Sequence, residues 1–315
     1  MIHFSKNKIQ NAVHLSGFII LAILTIVGVY QLKSENLLEI KNTITSRWGL
    51  FLGACGLRLA DWILDFMLWR SVVVRARAKS PFVENLWIYL SQGAGIVLPA
   101  QLGRVLRAYV LSKATKQPIT KTVSIEFFYL LCVCEGAIVV ILISLGFYSG
   151  FFMIPLGLCF VSLFLFPVVL KISNYLLKKW NIFIPEELFD FHYVIILSVL
   201  CSIGWAINGI MFYLLLGGSE SGLYLSQVQI IILGNILLAI CSGIPGGIGI
   251  IETTLSISLH WINIQLPEII VSIGLFRIIT FWIWIPFGWL ALFKLKLHKL
   301  AMLVNDSNGS FIEKS

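Results

Sequence analysis

Six apolar runs, at about 15–32, 48–69, 123–147, 152–170, 192–216 and 268–292, are each long enough to cross a bilayer. With two interrupted apolar regions counted as well, the stretches between apolar runs reach only roughly 15–20 residues, too short for a soluble catalytic domain. With 58% hydrophobic and 12% charged residues, the 315-residue chain reads as a polytopic membrane protein. The first run follows a basic segment but lacks a small-x-small cleavage site. It therefore reads as a retained helix rather than a removed signal peptide.

Two further apolar regions, about 86–112 and 226–262, are interrupted. Leu98-Pro99-Ala100-Gln101-Leu102-Gly103 and Ile244-Pro245-Gly246-Gly247-Ile248-Gly249 share the pattern aliphatic-Pro-x-x-aliphatic-Gly, 146 residues apart. Proline removes a helical hydrogen bond, so Pro99 and Pro245, with Gly103, read as helix breaks. Gly246, Gly247 and Gly249 permit positive φ and close backbone approach. Non-helical backbone at membrane depth is tolerated only where it is buried in protein or lines a wet cavity. Both tips are therefore expected to point inward.

A shift of 146 residues also superimposes the spans: 48–69 falls on 194–215 and 123–147 on 269–293, while 15–32 falls on 161–178 and only roughly matches 152–170. Each half then has three crossings and one broken hairpin. Three is odd, so the halves have opposite orientations, as in the inverted repeats of secondary transporters. The expected fold is an all-α, multi-pass, single integral membrane domain over 1–315. Its inverted repeats lie at about 1–150 and 151–300, each with three spanning helices and a Pro/Gly-broken re-entrant hairpin, before a short cytoplasmic tail at 301–315.

The net charge of +8 is clustered beside the apolar runs, for example Arg70/Arg75/Arg77 and Lys171/Lys178/Lys179. With both termini cytoplasmic, about 18 of the 23 basic residues fall inside, the positive-inside pattern of membrane topology. No nucleic-acid partner is expected. The six cysteines lie in apolar runs with no metal-ligand spacing to histidine, so no metal and no disulfide are expected. No cofactor motif is present in the sequence, and no hydrolase triad.

Charges inside spans are expensive and mark function. Arg58 and Asp61 stand at i and i+3 and can pair, with Asp65 on the same face; Glu126 and Glu135 share a later span on roughly opposite faces. Arg104 and Arg107 follow the first tip, one turn apart. Glu252 follows the second tip, and Arg277 lies near the middle of the last span. The helices that start after the tips would turn positive N-termini to the cavity. Arg104, Arg107, Gly246, Gly247, Gly249, Glu252 and Arg277 therefore form the candidate binding set. Arg58, Asp61 and Glu126 are intramembrane charges. Trp48, Trp69, Trp87, Trp180, Trp261 and Tyr224, near span ends, read as interface anchors.

Pro245-Gly246-Gly247-Ile248-Gly249-Ile250-Ile251-Glu252, followed by Phe276-Arg277 in an aromatic-rich last span, resembles the flippase-like family, the lysylphosphatidylglycerol synthase transmembrane-region family. That family pattern has P-G-G-x-G-x-x-E and then an Arg in the last helix. Its first half carries a Pro, G-E-x-x-R, and then E-R-x-x-D. Here Pro99 and Gly103-Arg104-Val105-Leu106-Arg107 place Arg104 where an acid stands; after Glu126, Phe127 and Leu130 replace the Arg and Asp. The resemblance implies translocation of a lipid or lipid-linked glycan between leaflets of the cell (inner) membrane, and the extra arginine favours an anionic head group. The protein is not expected to be an enzyme. The alternative is a non-catalytic membrane accessory of a lipid- or glycan-modifying enzyme.

Overall fold

A computed structural model describes residues 41–42, 45–78, 80–96, 102–179, 182–242 and 244–295. The first apolar run, the tail, Pro99 and Trp180 lie outside the described residues. Among the described residues the protein is all-helical, with nine α-helices. They are α1 (Trp48–Arg75), α2 (Phe82–Leu90), α3 (Leu102–Thr115), α4 (Ile119–Ser149), α5 (Met153–Lys178), α6 (Phe191–Leu215), α7 (Leu225–Ser242), α8 (Ile250–Trp261) and α9 (Leu266–Leu295).

Five of these, α4, α5, α6, α7 and α9, are long and apolar enough to cross a membrane. Helix α1 matches them in length, with 28 residues, but carries Arg58, Asp61 and Asp65 along its middle. Helix α7 departs from the sequence reading. One limb of the second broken region, it has 18 residues and the length to cross by itself.

Both interrupted regions are helix–break–helix. In the first, α2 runs into a 3₁₀ turn at Ser91–Gly95 before α3 begins. In the second, α7 stops at Ser242, a 3₁₀ turn covers Pro245–Gly247, and α8 follows. The element order repeats near the 146-residue offset, with ends that agree to within about six residues: α1, α2, α3 and α4 correspond in order to α6, α7, α8 and α9.

Helices α1 and α6 pack antiparallel along their whole length. At one end, Arg47 donates from Nη1 to the Leu216 carbonyl at 3.2 Å and pairs with Glu268 at 2.8 Å. At the other, Arg75 pairs with Asp190 at 3.3 Å and donates to the Glu187 carbonyl at 2.6 Å. Asp190 also caps α6 by accepting the Tyr193 N–H at 2.8 Å, and that donor holds its carboxyl below the usual range.

Two apolar clusters form. One gathers Trp69, Tyr89, Phe128, Tyr129, Leu170 and Leu197; the other gathers Phe212, Ile232, Leu255, Ile269 and Phe276. Trp205 packs against both, and the space between them is the cavity described below.

Helix α4 presses on α6 without an intervening side chain at Gly136. A Cβ there would meet Ser202 N at 2.7 Å and the Cys201 carbonyl carbon at 2.8 Å, both backbone atoms that cannot swing aside. Gly136→Val is therefore expected to destabilise the protein by about 1–3 kcal/mol, the usual cost of overpacking. A lowered Tm in detergent checks this; an unchanged Tm would mean that the two helices part freely.

Candidate functional site

Pro and Gly set the geometry of the second tip. Gly246, Gly247 and Gly249 have φ of +54°, +64° and +84°, a region that costs other residues a steric penalty. A Cβ at Gly246 would run into the Phe281 ring and come within 3.3 Å of the Ile96 carbonyl oxygen. The second tip thus sits directly against α9 and against the end of the first broken region. In the first region, Gly103 lies on the backbone of residues 92–96, where a Cβ would meet the Gln92 carbonyl oxygen at 2.7 Å.

A third contact ties the first region to α9. Gly93 and Gly288 face each other so closely that a Cβ on either would strike backbone of the other segment. Just before this crossing, α9 loosens into a π-turn at Ile278–Trp282. Such wide turns recur at functional sites because they re-aim side chains. Arg277, Thr280, Phe281 and Trp284 all reach the same space.

That space is a cavity of about 300 Å³. Arg58, Asp61, Trp62, Asp65, Tyr89 and Arg104 line it from the first half, with Asn208, Gly246, Gly247, Arg277, Phe281 and Trp284 from the second. By helical rise, Arg58 lies about 15 Å into α1 and Arg277 about 17 Å into α9, so both stand well inside their helices. Trp62 stacks on Trp284 at 5.4 Å, and the Arg58 guanidinium lies 5.3 Å over the Trp284 ring.

The charges of the cavity fall into three sets. Arg58 bonds Asp61, whose Oδ1 is accommodated beside Gly204. Asp65 has no cation bound to it among the described residues; Tyr129 donates to Oδ1 at 2.5 Å and Tyr89 to Oδ2. Arg277 donates from Nη2 to the Gly246 carbonyl at 3.0 Å, lies 4.4 Å over Phe281, and has its Nε 2.7 Å from Glu252 Oε1. That Nε–H is not directed at the oxygen, so the contact is coulombic rather than a hydrogen bond.

Arg104 differs. Among the described residues it makes no ion pair, and its guanidinium lies 6.0 Å over Tyr129. It is the cavity's unneutralised cation there, which suits an anionic group on a ligand.

The remaining candidates separate from the cavity wall. Glu252 reaches back to accept the Gly249 N–H at 2.7 Å, so its own carboxylate occupies one donor at the start of α8. Arg107 is fully buried and does not line the cavity. It clasps Glu126, with Nε to Oε1 at 2.9 Å, and lies over Trp69 and Tyr89 at 4.8 and 5.2 Å. Trp69 donates to the same carboxylate at 2.8 Å. Trp69 is therefore a buried partner of an ion pair and not the interface anchor expected from its place near a span end. The sequence reading passed over Trp62, Tyr89, Tyr129 and Trp284 as site residues. Trp62, beside Asp61, carried a local signal; Tyr89, Tyr129 and Trp284 stand between apolar neighbours and carried none.

These features define a multi-pass membrane protein with a charged, aromatic-walled cavity lined from both halves of the chain. The family model described as lysylphosphatidylglycerol synthase TM region matches residues 14–288, and the chain belongs to that family. Comparison with curated proteins and with solved structures found no match.

The Arg107–Glu126 pair gives a direct test of the packed interior behind the cavity. Glu126→Leu leaves a buried guanidinium unpaired and is expected to cost about 3–5 kcal/mol. Replacing both, as Arg107→Met with Glu126→Leu, is expected to restore most of that stability in the same unfolding assay. Equal losses in the single and double variants would contradict the pairing.

Proposed function

We propose that this protein translocates an anionic lipid, or a lipid-linked glycan, between membrane leaflets, with the head group held in the cavity between the two tips. The observation that carries the reading is Arg104: a guanidinium with no ion pair among the described residues, in a mid-membrane cavity lined from both halves. Guanidinium forks match phosphate oxygens, and Arg277, held by Glu252 and the Gly246 carbonyl, lines the same cavity.

The architecture supports movement of the two halves. In this reading the halves are inverted repeats, and the broken regions are re-entrant hairpins entering from opposite faces. The antiparallel packing of α1 on α6, helices that occupy the same place in each half, favours that inversion. Rocking the halves about the Gly93–Gly288 and Gly246–Ile96 contacts would open the cavity to each leaflet in turn. In this reading both termini lie on the cytoplasmic side of the cell (inner) membrane, which the basic clusters favour.

A second reading takes its support from the family description, which ties this membrane region to a lipid-modifying synthase. The chain would then be a non-catalytic membrane partner of such an enzyme.

Leaflet exchange of fluorescent phospholipids and polyprenyl-phosphate lipids in proteoliposomes separates the two. A hydrogen bond to a charged group is worth about 1.5–3 kcal/mol, so Arg104→Ala and Arg277→Ala should each slow exchange about tenfold or more. Glu252→Gln should slow it as well. Exchange that is unaffected by all three variants would remove the cavity from the mechanism. No exchange by folded wild type would favour the accessory reading.

A further inference from the structure

One ionisable side chain in the membrane interior stands outside every pairing described above. Glu135 lies at the middle of α4, roughly 24 Å from one end of that helix and 21 Å from the other by helical rise. It is only 6% exposed. No base pairs with it among the described residues, and its Oε1 has no hydrogen-bond partner. Asp61, Glu126 and Glu252 each meet an arginine, and Asp65 accepts two tyrosine hydroxyls.

A second orphan lies within a helical turn of the same crossing. Helices α4 and α6 touch backbone to backbone at Gly136 against Cys201 and Ser202. Glu135 immediately precedes that contact on α4. Ser198, one turn earlier on α6, is fully buried, and its Oγ also has no partner.

The groups facing Glu135 bring no positive charge. Helix α4 supplies Cys132 and Cys134 beside it; α5 supplies Cys159, and Ser162, a neutral hydroxyl that donates to the Cys159 carbonyl and also lies within hydrogen-bond reach of the Glu135 carboxyl. Helix α6 supplies Cys201 with Ser198, and α7 has Cys241 as its ionisable side chain. Of the charges on the other helices packed against α4, Arg107 is bound to Glu126, Arg104 lies over Tyr129, and Asp65 is held by Tyr129 and Tyr89. Val133, two residues before Glu135, lines the cavity, so Glu135 points to the far side of the cavity wall.

A carboxylate at this depth with no cation beside it is strongly disfavoured. A protonated carboxyl is neutral and can both donate and accept. We propose that Glu135 is a proton-binding site inside the membrane, a carboxyl that loads and releases a proton at the α4–α5–α6 junction. The site does not depend on lipid translocation being the protein's function. If translocation is its function, Glu135 is the group through which a proton gradient would act on it.

Dicyclohexylcarbodiimide tests this directly. The reagent partitions into lipid and adds to a protonated carboxyl in apolar surroundings, and its acylurea product stays on the side chain with no leaving group. The full-length protein in liposomes is treated across a series from mildly acid to mildly alkaline pH, and the modified peptides are read by mass spectrometry. Yields are normalised to the reagent remaining at each pH. The expected result is an adduct on Glu135 whose normalised yield falls about tenfold or more as pH rises through one titration, as a group exchanging its proton requires. The adduct on the same peptide should persist in Glu135→Asp, which keeps a carboxyl there, and vanish in Glu135→Gln. Absence of any Glu135 adduct in wild type overturns the proposal. So does an adduct of constant normalised yield, which marks a fixed structural proton. The readout is on the protein itself, so failure of this site and failure of the lipid reading are distinguishable.

Discussion

The constraint on which this structure depends is the cost of charge in a low-dielectric interior. A charge without a partner at mid-membrane is worth several kcal/mol of instability, so each buried charge must find a counter-ion, a donor set or a wet cavity. Arg107 and Glu126 neutralise each other in the packed interior behind the cavity. Arg58 and Asp61 do so on one helix, and Arg277 and Glu252 do so across the second break. Apart from the carboxyl of Glu135, the mid-membrane charges among the described residues that lack an opposite charge, Arg104 and Asp65, both face the cavity. The distribution of pairing therefore separates scaffold from site.

Glycine allows the two halves to meet at that cavity. At Gly93, Gly288 and Gly246, segments of the two halves approach closer than any side chain would allow. The broken regions do not expose loose backbone to lipid. Their turns pack on one another and on α9, as the absence of water at that depth demands. The π-turn in α9 adds an out-of-register step that brings Arg277 and Trp284 to the same cavity.

Much of the helical layout was legible because hydrophobic run length is a strong signal. The spans read at 123–147 and 192–216 lie within α4 and α6 or overrun them by one residue, and the Pro/Gly motif marked the break before α8. The length of α7 was less legible, because its apolar run reaches the break with no terminating signal of its own. In the site, residue type revealed the charges but not their partners. Arg104 and Arg107 sit one turn apart in sequence, yet one lines the cavity and the other is sealed beneath Trp69. That division is set by a glutamate 19 residues away on α4, which local spacing does not reveal. The tryptophans were read by position along a span, and position does not distinguish a lipid-facing ring from one that serves a buried carboxylate.

The most direct test of the central claim, a mid-membrane cavity shared by both halves and reachable from each side, is two-sided accessibility at Thr280, a neutral residue of the cavity wall. The measurement uses Thr280→Cys in a background with the six native cysteines replaced, in sealed oriented vesicles, with a membrane-impermeant maleimide added from one side or the other. Labelling from both sides, slowed by a bound lipid head group, is the predicted result. Labelling from one side alone, or from neither, would contradict the account.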